Sequence, residues 1–231
     1  MKTLGIIGGT GPDTTIEYYR MIIASYRSQK QDGSYPTIII NSIDLKTLVD
    51  LITANQLAQL TNYLLEEVRK LAAAGADFGL LAANTPHLVF NELSRQSPIP
   101  LISIVEATCD AVLELGLTRV ALFGTRFTMQ AQFYPEVFTP KGITLITPTL
   151  PEQEYIHDKY MNELLKGIFL PETHAKLLTI VDELKEKEEI EGLILAGTEL
   201  SLILREDSYK GIPFFDTAKI HVQRVIAEML S

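Results

Sequence analysis

The feature that most constrains the fold is an alternation that starts again halfway along the chain. Short apolar runs take turns with longer helical patterns across 231 residues. TLGIIG (3–8), PTIIINSI (36–43), FGLLAA (78–83) and PLISIV (100–105) read as four strands. RVALFGTRFTM (119–129) reads as strand, turn and helix, like TLGIIGGTGPD at the start. ITLITPT (143–149), GLILAGTEL (192–200) and GIPFFD (211–216) supply further strands. Helical patterns fill the intervals: Pro12 to about Ser28, Gln56 to Ala74, a stretch ending at Gly116, Tyr155 to Gly167, Glu172 to Lys187, and the C-terminal segment. Such alternation predicts parallel sheets covered by helices on both faces.

The second half also repeats the first in detail. LLAANTPHLV is followed by Pro100, fifteen residues after Thr85, and LILAGTELSL by Pro213, fifteen residues after Thr198. Both segments run apolar residues, small residues, Thr, helix, Ile-Pro, apolar strand. This predicts an α/β protein of two pseudo-symmetric lobes, residues 1–100 with 216–231 and residues 101–215. Each lobe is a parallel sheet flanked by helices, and the expected ligand cleft lies between them, since open parallel sheets bind at the carboxyl ends of their strands.

Composition narrows the function. Hydrophobic residues make up 46% and charged residues 21%, enough apolar material for a sizeable core. No apolar run reaches the ~18 residues of a membrane span. The opening MKTLGIIGGTGPD breaks at its glycines, so it reads as a buried strand of a cytoplasmic protein rather than a signal peptide. The net charge of −9 argues against a nucleic-acid partner. A single cysteine, Cys109, allows no intrachain disulfide. It sits in the apolar helix VEATCDAVLEL and reads as a small buried hydrophobe. The four histidines show no metal-ligand spacing, so no metal is expected.

Four strand ends pass into turns rich in Gly and Thr: Gly8-Gly9-Thr10-Gly11, Ala83-Asn84-Thr85, Gly124-Thr125 with Thr128, and Gly197-Thr198-Glu199. Backbone N–H groups, hydroxyls and an amide at such places suit a small molecule with two or more carboxylates. Each turn taken singly reads equally as a helix cap serving its own backbone. The first lacks the spacing of a dinucleotide fingerprint. His87 reads as a proton shuttle or a packing histidine, and Glu199 as a base or a helix-stabilising carboxylate. Lys166, Lys46 and Arg126 read as partners for a ligand carboxylate or as surface cations. Asp44 is a further candidate base.

GIIGGTGPDTT, ANTPH (83–87), LFGTRFTM (122–129), GTEL (197–200) and FFDTAKIH (214–221) together resemble the aspartate/glutamate racemase family, and its aspartate racemase branch in particular. The resemblance covers nearly the whole chain. It implies two α/β lobes, a site between them, no cofactor, a homodimer, and an acidic amino acid as ligand. It also implies racemisation by two thiols, one on each side of Cα. The thiol positions correspond to Ala83 and Gly197, where this chain carries no acid or base. The positions implied to bind substrate are Gly9, Thr10, Asn84, Thr85, Thr125, Thr128, Thr198 and Glu199, with Lys166 on the distal carboxylate. Two functions are therefore expected: a racemase using other residues, His87 or Glu199 among them, or a non-catalytic binder of an acidic amino acid or diacid.

Overall fold

The computed structural model describes residues 1–231, the side chain of Pro12 excepted. The chain forms two compact units, residues 1–104 with 221–231 and residues 105–220. The first contains β1 (Leu4–Gly8), α1 (Pro12–Gln29), β2 (Ile38–Ser42), α2 (Leu45–Thr53), α3 (Leu57–Ala73), β3 (Phe78–Leu81), α4 (Phe90–Gln96) and β4 (Leu101–Ile102). α5 (Ile104–Glu114) leads into the second unit. There follow β5 (Arg119–Gly124), α6 (Arg126–Gln130), α7 (Phe133–Phe138), β6 (Thr144–Ile146), α8 (Leu150–Asn162), α9 (Pro171–Glu188), β7 (Gly192–Ala196), α10 (Thr198–Ile203), β8 (Ser208–Tyr209) and β9 (Ile212–Asp216). α11 (Thr217–Leu230) begins in the second unit and ends in the first.

The predicted repetition is present in the sheets. The first unit has strand order β2-β1-β3-β4 and the second β6-β5-β7-β9-β8. All pairings are parallel except β8 with β9, so the second sheet adds one antiparallel edge strand to the same order. β1 and β7 lie inside their sheets and every residue of both is buried. That explains why LGIIG and GLILA read as continuous apolar runs, since a parallel strand covered on both faces has no polar side.

Helix faces complete the layers. α3 buries Leu60, Leu64, Leu65, Val68 and Leu71, a stripe at helical spacing. In the second unit Ala121, Phe123, Leu193 and Leu195 of the sheet share a core with Ile156 of α8 and with Leu177, Ile180, Val181 and Leu184 of α9. Each of the Leu, Ile, Val and Phe side chains contributes about 1.5–3 kcal/mol on burial.

Several elements differ from the sequence expectation, among them α7 and the antiparallel edge strand β8, which it did not contain. The strand expected over 100–105 stops at Ile102, and Ile104 and Val105 are buried at the start of α5 instead. The helix expected from Tyr155 starts at Leu150 and ends at Asn162. Thr149 caps it, its N–H and hydroxyl donating to Glu152 Oε2 at 2.8 and 2.6 Å. α2 was not anticipated. Asp44, considered above as a base, caps it by accepting from Lys46 N–H at 3.1 Å and Thr47 N–H at 3.2 Å. No helix among the described residues is long and apolar enough to cross a membrane.

Candidate functional site

Each unit gathers its candidate residues at the carboxyl ends of its central strands. In the first unit the turn after β1 lies between the ends of β2 and β3: Gly8 is level with Ser42, and Ile7 with Leu81. Ile43 N–H donates to Gly8 O and Ala82 N–H to Ile7 O, both at 2.9 Å, which carries the ladders into the turns. Gly9 has φ +81°, and a Cβ there would stand 2.3 Å from Ile43 O. Its N–H donates to Thr15 Oγ1 at 2.9 Å, so this donor is already committed. The Thr10 hydroxyl is different. It is one of two buried side-chain polar atoms with no hydrogen-bond partner among the described residues, the other being Ser201 Oγ. A buried hydroxyl left unpaired costs about 1–3 kcal/mol. A ligand group beside Thr10 would remove that cost.

The turn after β3 brings Ala83, Asn84, Thr85 and His87 together. Ala83 and Thr85 are half-buried, while Asn84 is buried. His87 is 2% exposed, and both its ring nitrogens are engaged. Nδ1 lies 3.0 Å from Ala83 O and donates to it, while Nε2 accepts from Ile104 N–H at 3.3 Å. That pattern fixes one neutral tautomer. The ring stacks on Phe90 with centroids 4.8 Å apart. Burial, and then the charge of His221, push its pKa down to about 3. His87 therefore ties the turn together and has no free nitrogen for shuttling protons in this arrangement.

In the second unit β5 and β7 are parallel neighbours with Gly124 level with Ala196, so the turns at Thr125 and Gly197 lie side by side. Thr125 caps α6 by accepting from Thr128 N–H at 3.3 Å, and the two hydroxyls lie 3.2 Å apart. The next turn presents Gly197, Thr198 and the buried Glu199. Thr198 Oγ1 donates to Glu199 Oε2 at 2.8 Å. Tyr160, from α8, donates its hydroxyl to the same oxygen in a short hydrogen bond. Burial, reinforced by the Glu199 charge and by this bond, holds the phenol well above its ordinary pKa. Lys166 lies in the 3₁₀ turn Leu164–Lys166, which packs against α10, the helix that carries Glu199. Its side chain is exposed and makes no ion pair among the described residues, so it is available to a carboxylate.

Tyr160 escaped the sequence reading. It belongs to no motif, and its significance shows only at Gly197. That glycine has φ 176° and ψ 133°, extended backbone open to any residue. Space, not conformation, is what excludes a side chain: a Cβ at 197 would lie 2.6 Å from both Cε2 and the hydroxyl of Tyr160. The other candidates are ordinary surface groups. Lys46 pairs with Asp50 at 2.5 Å and Arg126 with Glu154 at 3.2 Å. Cys109 is buried, its thiol pushed up to about 11 mainly by that burial, which suits packing and not nucleophilic chemistry.

Two parallel-sheet units of one topology, with small and hydroxylated residues at the strand ends, define a two-unit α/β protein with ligand-type turns. The family model described as Asp/Glu/Hydantoin racemase matches residues 7–225, and the chain belongs to that family. The chain is 25% identical to the broad specificity amino-acid racemase RacX of Bacillus subtilis over 99% of its own length and 98% of the relative's. Among solved structures, a Yersinia pestis protein provisionally named an Asp/Glu racemase superposes with a TM-score of 0.92 at 30% identity, each chain covered in full. An aspartate racemase homologue from Pyrococcus horikoshii superposes with a TM-score of 0.85 at 33% identity, again over all of both chains.

Proposed function

We propose that the protein binds an acidic amino acid or a related diacid, and that racemisation at Cα is weak or absent in it. One observation carries this reading. At the two positions that the resemblance assigns to catalytic thiols, the chain offers the methyl group of Ala83 and a bare backbone at Gly197. A general acid or base typically contributes ~10²–10⁴-fold, so losing both removes most of a two-base proton transfer. Groups suited to holding a carboxylate remain: the Thr10 hydroxyl without an internal partner, the Asn84-Thr85 turn, and the unpaired Lys166. Glu199 is the remaining candidate base, since both nitrogens of His87 are engaged. On this reading the protein needs no cofactor, works as a cytoplasmic homodimer, and serves as a sensor or regulator of the ligand's level.

The similarity to RacX motivates a second reading. That relative is named for broad specificity, so the ligand here need not be acidic. Calorimetry against aspartate, glutamate, simple diacids and a panel of neutral and basic amino acids separates the two. Proton NMR in D₂O, following loss of the α-proton signal from L- and D-aspartate and glutamate, tests turnover. Binding of diacids without deuterium uptake is expected. Deuterium uptake by the wild-type protein would restore the enzyme reading with Glu199 as the first residue to mutate. No binding of any acidic compound would remove the ligand class.

A further inference from the structure

We propose that Tyr160 determines which side chain, and so which chemistry, position 197 can carry. The proposal rests on reading 197 as one of the two thiol positions. Gly197 needs no glycine for its backbone, which is extended. Yet three atoms of one phenol side chain stand within 3.0 Å of where its Cβ would be: Tyr160 Cε2 and the hydroxyl at 2.6 Å and Cζ at 3.0 Å. Such separations are well inside van der Waals contact, so no side chain fits at 197 while the ring stays.

The ring is not free to leave. Tyr160 is 8% exposed and packs in the core with Ile156 and Leu164. Its hydroxyl is held by the buried carboxylate of Glu199, which also accepts from Thr198. Swinging the phenol out would strip a buried carboxylate of a donor, and charged acceptors pay more than neutral ones for that loss. The glycine and the tyrosine therefore form one device. A tyrosine from α8 fills the volume that a residue of the β7–α10 turn would otherwise occupy, and Glu199 locks it there. Putting a thiol back at 197 is blocked by its neighbour across the core.

The test is a coupling measurement followed by an exchange measurement. Gly197→Ala should lower Tm by roughly 2–10 °C through overpacking. The loss should persist beside Tyr160→Phe, which keeps the ring. Beside Tyr160→Leu, which lacks Cε2, Cζ and the hydroxyl, it should shrink to less than about a third. In D₂O with aspartate and glutamate, Gly197→Cys alone should show no exchange, whereas Tyr160→Leu with Gly197→Cys should show it for one enantiomer. There a thiolate takes the α-proton as S–H, the thiol exchanges with D₂O, and the deuteron returns to the same face of Cα. If coupling appears in Tm but neither cysteine variant exchanges, Tyr160 still excludes a side chain at 197 and the reading of 197 as a thiol position fails, while calorimetry with diacids decides the ligand class separately. An unchanged Tm for Gly197→Ala overturns the proposal, even if Tyr160→Leu does not fold. So does an equal loss in the Tyr160→Leu background, or exchange by Gly197→Cys with no loss of Tm.

Discussion

The two units share a strand order but finish their strand-end turns in opposite ways. In the first, the turn after β3 is closed from within: His87 reaches back four residues to Ala83 O and forward to Ile104 N–H. Ala83 itself is half-buried and carries only a methyl group. In the second, the turn after β7 is closed from outside, by a tyrosine of α8 lying over Gly197 and bonded to Glu199. One turn is held by a neutral ring bonded to backbone, the other by a phenol bonded to a carboxylate. Two turns at matching places in the two sheets are thus held by unrelated packing solutions, and in the second the ring that holds the turn also excludes a Cβ at Gly197.

The largest expected effect of this difference is on acid stability. His87 and His221, both of the first unit, are fully buried, with pKa values pushed down to about 3 and about 4 chiefly by burial. His221 is also saturated, bonded to Tyr18 and to Ile102 O at 3.0 Å each. The unfolded chain binds protons at both near 6.5, so below that pH it holds more protons than the folded chain. Stability is complete above about pH 6.5 and falls as the pH drops toward the folded values. Between pH 6.5 and 5 the loss is about 2 kcal/mol for each ring. Urea unfolding at pH 7 and pH 5 should show about 4 kcal/mol between them, with hydrogen exchange rising first in residues 1–104. Equal stability at the two pH values would mean that the rings are solvated and that the first turn is not closed from within.

How much of this is legible in the sequence depends on where the information lies along the chain. The parallel sheets were legible because LGIIG and GLILA are buried on both faces and carry that in every residue. The duplication was legible because the Thr-to-Pro interval recurs. The end of β4 was not. A short apolar run such as LISIV fits a buried strand and a buried helix start equally, and the packing of Ile104 and Val105 decides it. Asp44 caps α2, and the sequence alone does not separate that role from catalysis, because a carboxylate before a helix has the same appearance in either. Tyr160 lay out of reach. Its meaning is a relation between residues 160 and 197, and neither residue announces it alone.

One substitution separates space from hydrogen bonding in the outer closure. Tyr160→Phe keeps the ring but leaves Glu199 with one donor fewer inside the protein. A lost hydrogen bond to a charged group costs about 1.5–3 kcal/mol. Thermal melting should register this as a drop of several degrees. A neutral result would mean that Thr198, together with water, already satisfies Glu199, and that packing alone fixes the ring.

The smallest effect concerns the helix that delivers the tyrosine. α8 owes its early start to Thr149 and Glu152, whose side chains close the first turn before Pro151 sets the backbone. Thr149→Ala removes one half of that box and should cost about 1 kcal/mol. Tyr160 lies three turns further on, near the other end of the helix. If the cap only stabilises, the Tm falls by a few degrees and the coupling between residues 160 and 197 is unchanged. If the cap also sets the axial position of α8, Gly197→Ala becomes less costly in the Thr149→Ala background, because the ring no longer sits squarely over the glycine. The first result would make the outer closure a local property of one ring. The second would make it a property of the whole helix, and the contrast with the self-contained turn of the first unit would widen.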